Sequence, residues 1–169
     1  MPEIQPSLIP GDFDVRFERA FGLLAFVANR HIIDHMRRLS LELDSDPNSA
    51  LIWGVLAHLN LLPNLPLGCD PMLVLDEMGL KKDRMLVPVR LSVIVQVVGL
   101  PRETVRRKLE MLRAAGKVER DVDGKWRYLA TGVGQRERDF TRKTVLQLLK
   151  TAESMLQLLD QVNLDQAPR

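Results

Sequence analysis

Charged side chains are concentrated between Arg102 and Arg113, in a stretch whose spacing is typical of an α-helix. The apolar residues Val105, Leu109 and Leu112 recur at the intervals of a single helix face. The opposite side carries most of the charge: Arg102, Glu103, Arg106, Glu110 and Arg113, with Arg107 and Lys108 towards its flanks. A guanidinium can donate two hydrogen bonds to O6 and N7 of guanine, and a glutamate can accept one from the cytosine amino group. This chemistry favours a helix that contacts the base edges of DNA.

The distribution of charge along the chain supports the same interpretation. The formal net charge of the 169 residues is only +2. Residues 81–143, however, hold 17 Lys and Arg against 8 Asp and Glu, a balance of +9, which leaves −7 for the rest. An asymmetry of this size indicates that the basic segment meets a polyanion and that the remainder does not.

Short elements around this helix would place it in a groove. The apolar run Leu91–Val98 predicts a short helix, and Pro101 opens the next one, which should end where Gly116 offers a left-handed cap. Two β-prone runs, residues 117–122 and 125–130, flank Asp123-Gly124, a strong hairpin signal. Two helices followed by a hairpin give the order of a winged helix-turn-helix, with residues 101–115 in the major groove and the wing on the backbone or minor groove.

Other residues of this segment suit the DNA backbone. Thr104 lies beside the amide groups at the helix start, which can bind a phosphate. Lys125 and Arg127 directly follow the hairpin turn, at the tip of the wing. Trp126 and Tyr128 alternate with them, and we expect these rings to pack against the core rather than stack on bases. The expected phosphate contacts are therefore Thr104, Lys108, Arg113, Lys125 and Arg127.

A family resemblance adds to this interpretation. The motifs that carry it are Gln96-Val97-Val98-Gly99, Arg102-Glu103-Thr104-Val105, Arg107 and Met111-Leu112. They make residues 90–118 similar to the DNA-binding domain of the catabolite activator family, which implies that Arg102, Glu103 and Arg107 read bases and that Thr104 holds the backbone. Arg106, on the same exposed side, completes the expected base contacts. The upstream half lacks the strands of a cyclic-nucleotide barrel, so no such effector, and no cofactor, is expected.

Long helical patterns flank the central segment. A stripe of apolar residues predicts one helix from about Asp12 to Leu43, and Asp46-Pro47 should start a second that runs to about Leu62. A last helix from about 136 to 162 has apolar residues at heptad spacing: Val145, Leu148, Ala152, Met155, Leu159 and Val162. Since one small domain cannot easily cover both long stripes, we expect a homodimer that pairs through these residues.

These patterns predict a mainly α-helical protein, a winged helix-turn-helix with a small β-hairpin wing and long flanking N- and C-terminal helices. The expected segments are 1–44 for packing or dimerisation, 45–134 for DNA binding with an insert at 63–88, and 135–169 for dimerisation. The layout is similar to bacterial winged-helix regulators of the MarR and GntR kind. We expect a cytoplasmic transcriptional regulator that binds double-stranded DNA and no membrane.

Other candidate sites in the sequence are weaker. His31 and His35 have a spacing that can hold a metal, but no third ligand is near, so no metal is expected. Cys69 shows no nucleophile signature, and no enzyme is expected. Two alternatives stay open: a winged-helix module that binds proteins, and a sensor of an unknown small-molecule effector with a pocket between the long helices. Leu23, Phe26, Trp53 and Met72 are candidate lining residues of that pocket.

Overall fold

The computed structural model describes residues 8–43, 45–61 and 86–162. The chain divides into two compact units, one made of Met1–Arg38 with Asp139–Arg169 and the other of Leu39–Arg138. The described residues are mainly helical, with five α-helices and a single two-stranded antiparallel sheet. None of the described helices is long and apolar enough to cross a membrane.

The first unit holds most of two long antiparallel helices, α1 (Phe13–Leu43) and α5 (Gln135–Asp160). The start of α1 lies beside the end of α5, where Arg16 Nη1 donates to the Leu159 carbonyl at 2.9 Å. Further along the pair, Arg38 Nη2 donates to the Phe140 carbonyl at 3.0 Å. Both helices begin within about a residue of the predicted positions. Apolar packing between them is centred on Ala20, Leu24 and Leu159.

In the second unit, the described residues form three shorter helices and the hairpin. Their bounds are Pro47–Leu61 for α2, Leu91–Val98 for α3, Arg102–Ala114 for α4, Val118–Arg120 for β1 and Trp126–Tyr128 for β2. Ile52 and Leu56 from α2, Ile94 from α3 and Trp126 from β2 are buried in one apolar cluster. The predicted core positions of α4, namely Val105, Leu109 and Leu112, join this cluster, as expected. Trp126 and Tyr128 also pack there, so the core interpretation of both rings is confirmed.

The hairpin is shorter than the predicted runs 117–122 and 125–130. Val118 pairs with Tyr128 and Arg120 with Trp126, and pairing stops there because Asp121 closes the turn. The Asp121 carbonyl accepts from Gly124 N, and its carboxylate accepts from Lys125 N. Gly124 has φ 76° and the predicted cap Gly116 has φ 70°, in the left-handed region where a side chain is strained.

Asn60 joins three segments of the second unit and was not singled out by the sequence analysis. Its side chain is fully buried; Nδ2 donates to the carbonyls of Val87 (2.7 Å) and Trp126 (3.3 Å), and Oδ1 accepts from Tyr128 N (2.6 Å). Val89 adds an isolated antiparallel bridge to Trp126. Most of the predicted insert 63–88, with its Met72, lies outside the described residues.

Candidate nucleic-acid interface

Helix α4 presents a charged face because its opposite face is fixed in the core. Val105 and Leu109 are 0% exposed, whereas Arg102, Glu103, Arg106 and Arg107 are exposed. The first hydrogen bond of α4 runs from Val105 N to the Pro101 carbonyl, and no side chain of Pro101 caps the helix. The amides of Arg102, Glu103 and Thr104 therefore precede the helical ladder, in the geometry that binds anions.

Two of the predicted base contacts are bonded to each other. Arg106 Nε and Nη2 donate to the Glu103 carboxylate at 2.8 and 2.6 Å, a bidentate pair one helical turn long. The hydrogen bond from Arg106 lowers the pKa of Glu103 below its ordinary value. Both side chains are more than half exposed, so the pair contributes little to stability but restricts the two rotamers. Glu103 and Arg106 are thus presented to solvent as one planar unit.

The other two predicted base contacts have no such partner. Neither Arg102 nor Arg107 forms an ion pair with any of the described residues, and both are exposed. Arg113, predicted to contact phosphate, pairs with Glu110 at 2.8 Å through its Nη2. The first two turns of α4 therefore carry two guanidinium groups whose five donors each remain available for a ligand.

Lys108 has a structural partner that the sequence did not indicate. Its Nζ lies 2.7 Å from Oδ2 of Asp46. The same carboxylate accepts from Ser49 at the start of α2, through Oδ1 from the backbone amide and through Oδ2 from the hydroxyl. Burial raises the pKa of Asp46, but the hydrogen bonds from Lys108 and Ser49 outweigh it and hold the pKa at about 2. A phosphate contact of Lys108, as predicted, would share its ammonium group with this carboxylate.

The hairpin carries its cations close to the turn. Lys125 Nζ lies 3.8 Å from Asp123, and Arg127 Nη1 lies 3.3 Å from Glu119 on the paired strand. Arg120 was not among the predicted contacts, although its strand position next to the turn could have indicated it. Its Nε donates to the Gly124 carbonyl and its guanidinium lies 5.7 Å from the centre of the Trp126 ring. Arg120 is exposed and has no carboxylate partner among the described residues.

The predicted dimer residues of α5 fall into two groups. Leu159 is buried against α1, and Met155 and Val162 pack against the same cluster within the chain. Val145 and Leu148 are 50% and 54% exposed, and Ala152 is exposed as well. Only this second group is free to meet another molecule, and the homodimer stays a prediction.

The histidines of α1 have protein neighbours. His31 Nδ1 lies 3.1 Å from Thr151 Oγ1, and the His35 ring lies 5.5 Å from that of Phe140. Within the described part of the chain, no group of three His, Cys, Asp or Glu residues is arranged to hold a metal ion. Cys69 lies outside the described residues.

Comparison with known proteins identifies no relative: no family model, curated protein or solved structure matches this chain. The similarity of residues 90–118 to the catabolite activator family therefore rests on the motifs alone. Any function must be argued from the site itself.

Proposed function

We propose that the chain is a sequence-specific double-stranded DNA-binding protein, a transcriptional regulator whose residues 39–138 form a winged helix-turn-helix. The observation that carries this proposal is the exposed face of α4, where Arg102 and Arg107 have no ion-pair partner among the residues that the structure describes. A helix of this kind enters the major groove with its N-terminal turns leading. Arg102 and Arg107 then donate to guanine, while the Glu103–Arg106 pair opens to read a neighbouring base or stays closed beside the backbone.

The DNA backbone is held by groups on both sides of this helix. The free amides at the start of α4, together with Thr104, suit one phosphate. Lys125, Arg127 and Arg120 in the hairpin suit another segment of the backbone or the minor groove. Lys108 contributes less than the sequence predicted, because its charge is already neutralised by Asp46. Arg113 can reach a phosphate at the cost of an exposed ion pair, which is small.

The proposed regulator acts as a homodimer, and an apolar face of the first unit supports this. At about 100° per residue, one side of α1 carries only uncharged residues over residues 21–36, including Phe21, Ile32 and Met36. On α5, the residues on the same side of the antiparallel pair are Val145, Leu148, Leu149 and Ala152. The larger side chains of this apolar face are 40–62% exposed. A continuous exposed apolar surface is typical of a protein interface.

Charged residues at the two ends of the apolar face favour one relative orientation of two paired copies. Asp14 and Glu18 lie at one end and Arg142 at the other, and all three are exposed. A two-fold axis through the middle of the face places Glu18 of one copy opposite Arg142 of the second copy. With the charged ends included, residues 14–36 of α1 extend roughly 33 Å, and two adjacent helices are about 20 Å wide, which gives roughly 660 Å², below the roughly 800 Å² per partner of a standard interface.

The direct test is selection of duplex sequences from a random pool with the full chain, followed by fluorescence anisotropy across a salt series. Specific binding that weakens steeply with salt supports the proposal. A chain that selects no sequence and binds no duplex at low salt is no DNA-binding protein. It would then be better explained as a helical module that binds proteins.

A further inference from the structure

A groove between α1 and α5 has the composition of a small-molecule site. It encloses about 370 Å³, within the range of ligand-binding clefts. The residues that line it come from both helices: Phe26, Val27, Arg30, His31 and Asp34 from α1, and Gln147, Lys150, Thr151 and Ser154 from α5. By helical periodicity these residues lie on the side of the helix pair opposite to the apolar face. A second copy on that face would leave the groove open.

Positive charge in the groove is not neutralised by any of the described residues. Arg30 and Lys150 approach the groove from different helices, and neither forms an ion pair with any residue that the structure describes. Asp34 is the only carboxylate among the described lining residues; it lies four residues after Arg30, yet the two are not paired. Two unpaired cations facing one cleft attract an anion, and a guanidinium matches a carboxylate in particular because it donates two parallel hydrogen bonds.

The rest of the lining supplies an apolar surface and a fixed ring. Phe26 is 64% exposed, and with Val27 it offers a surface on which a flat apolar body can lie. The Thr151 hydroxyl donates to the Gln147 carbonyl at 2.8 Å, so its oxygen is left to accept from His31 Nδ1 at 3.1 Å. In the neutral ring this leaves Nε2 of His31 as an acceptor for a ligand hydroxyl or amide.

We propose that this groove binds a small organic carboxylate with an aromatic or other apolar body. The carboxylate lies between Arg30 and Lys150, and the apolar body lies against Phe26. The proposal does not depend on DNA binding, since all of its residues belong to the helix pair and none to α4 or the hairpin. It gives the chain a site at which a metabolite could be sensed.

Isothermal titration calorimetry on the full chain tests this with benzoate as the probe and benzamide, its neutral isostere, as the control. We expect one benzoate per chain, and at least about tenfold weaker binding for benzamide, because only the carboxylate pairs with the cations. Benzoate should also raise the Tm of the chain, whereas benzamide should not. The comparison of the two probes needs no substitution and so holds even if a variant fails to fold.

Matched variants then locate the site. Arg30→Gln and Lys150→Gln should each weaken benzoate binding about tenfold or more, while Arg37→Gln, which removes a charge from α1 outside the groove, should change it less than about twofold. Equal binding of benzoate and benzamide would overturn the proposal. Equal losses of benzoate affinity in all three variants would also overturn it, because they indicate a general effect of charge. The absence of both binding and a Tm shift at millimolar benzoate would overturn it as well.

Discussion

Lys108 Nζ lies 2.7 Å from Oδ2 of Asp46 and thereby joins the second turn of α4 to the residue that precedes α2. Asp46 at the same time accepts from the Ser49 amide, the bond expected of a helix N-cap. The two residues are 62 positions apart in the chain, so the contact fixes α4 against α2 rather than stabilising one helix locally. Lys108, which the sequence analysis predicted to contact DNA, therefore helps to hold α4 against α2.

Removing Lys108 should reduce stability more than DNA affinity. The folded-state pKa of Asp46, about 2, is below its ordinary 3.8, so the pair stabilises the fold above pH 3.8 and loses this effect as the pH falls towards 2. After allowance for an Asp46 side chain that is 42% exposed, we expect Lys108→Met to cost about 1 kcal/mol at pH 7. Urea unfolding at pH 7 and pH 2.5 measures this.

A double-mutant cycle with Asp46→Asn isolates the pair from the cap. If Lys108→Met and Asp46→Asn add without coupling at pH 7, the bond contributes nothing to stability. Lys108→Met should also leave the salt dependence of DNA binding nearly unchanged. If the slope of log affinity against log salt concentration decreased by about one in this variant, Lys108 would instead be a phosphate contact, as the sequence predicted.

Asn60 should be among the most sensitive positions of the second unit. Substitution by Leu keeps the branched shape and the number of heavy atoms but leaves the Val87 carbonyl and the Tyr128 amide without their buried partner. We expect a loss of about 2–4 kcal/mol. Asn48→Leu, at an exposed position near the start of the same helix, is a matched control that should change stability by less than about 1 kcal/mol. Thermal and urea unfolding compare the two, and equal effects would contradict the role of Asn60.

Much of the local fold could be predicted because single residues determine it. Asp46-Pro47 starts α2, Gly116 follows the end of α4, and Asp123-Gly124 lies in the hairpin turn. The hydrophobic period likewise identified the buried face of α4. Each of these signals lies within a few residues of the helix end, turn or buried face that it determines, so the local sequence is enough to predict that feature.

Contacts between distant residues could not be predicted in this way. Nothing near Asn60 indicates that its amide will meet Val87 and Trp126, and nothing near Lys108 indicates Asp46. Heptad spacing on α5 did not show that Leu159 is covered by α1 while Leu148 is exposed. The exposed charged face of α4 could thus be predicted from the sequence, whereas the partners of its individual charges could not.

His35 should make the helix pair less stable in mild acid. Burial lowers its pKa below the ordinary 6.5, and the nearby charges of Arg38 and His31 lower it further. Because the unfolded chain then binds the proton more tightly, stability is full above about pH 6.5 and decreases as the pH falls below it. We expect His35→Leu to remove much of the stability difference between pH 7.5 and pH 5.5 in urea unfolding. His31→Gln should retain it, and a His35→Leu chain with the full pH dependence would contradict this account.

Pairing of the apolar face can be tested by exchanging charges at its ends. Analytical ultracentrifugation should show a dimer for the natural chain and a monomer for Leu148→Glu, which places a charge in the face. Arg142→Glu alone should weaken pairing about tenfold or more, because it meets Glu18 of the second copy. Combining it with Glu18→Arg should restore pairing. A natural chain that is monomeric at micromolar concentration, or a double variant no better than the single one, would remove the proposed interface.

The roles of individual α4 residues can be distinguished by the affinity of each variant for different DNA sequences. Arg113→Ala removes a phosphate contact in our account, so it should weaken all duplexes alike and lower the salt slope by about one. Arg37→Ala, on α1, should leave affinity unchanged and controls for net charge. Because Arg106 is paired with Glu103, we expect Arg106→Ala to free the Glu103 carboxylate and to change which DNA sequences are preferred, with little change in overall affinity.

The central claim is that Arg107, which is exposed and forms no ion pair within the described part of the chain, reads a base. Fluorescence anisotropy with a selected duplex and with single-base variants of it tests this claim most directly, at several salt concentrations. We predict that Arg107→Ala loses about 1–3 kcal/mol of binding free energy on the selected duplex and discriminates less between bases at one position. An equal loss on every sequence would contradict this role for Arg107, and no binding of the natural chain at low salt would contradict DNA recognition altogether.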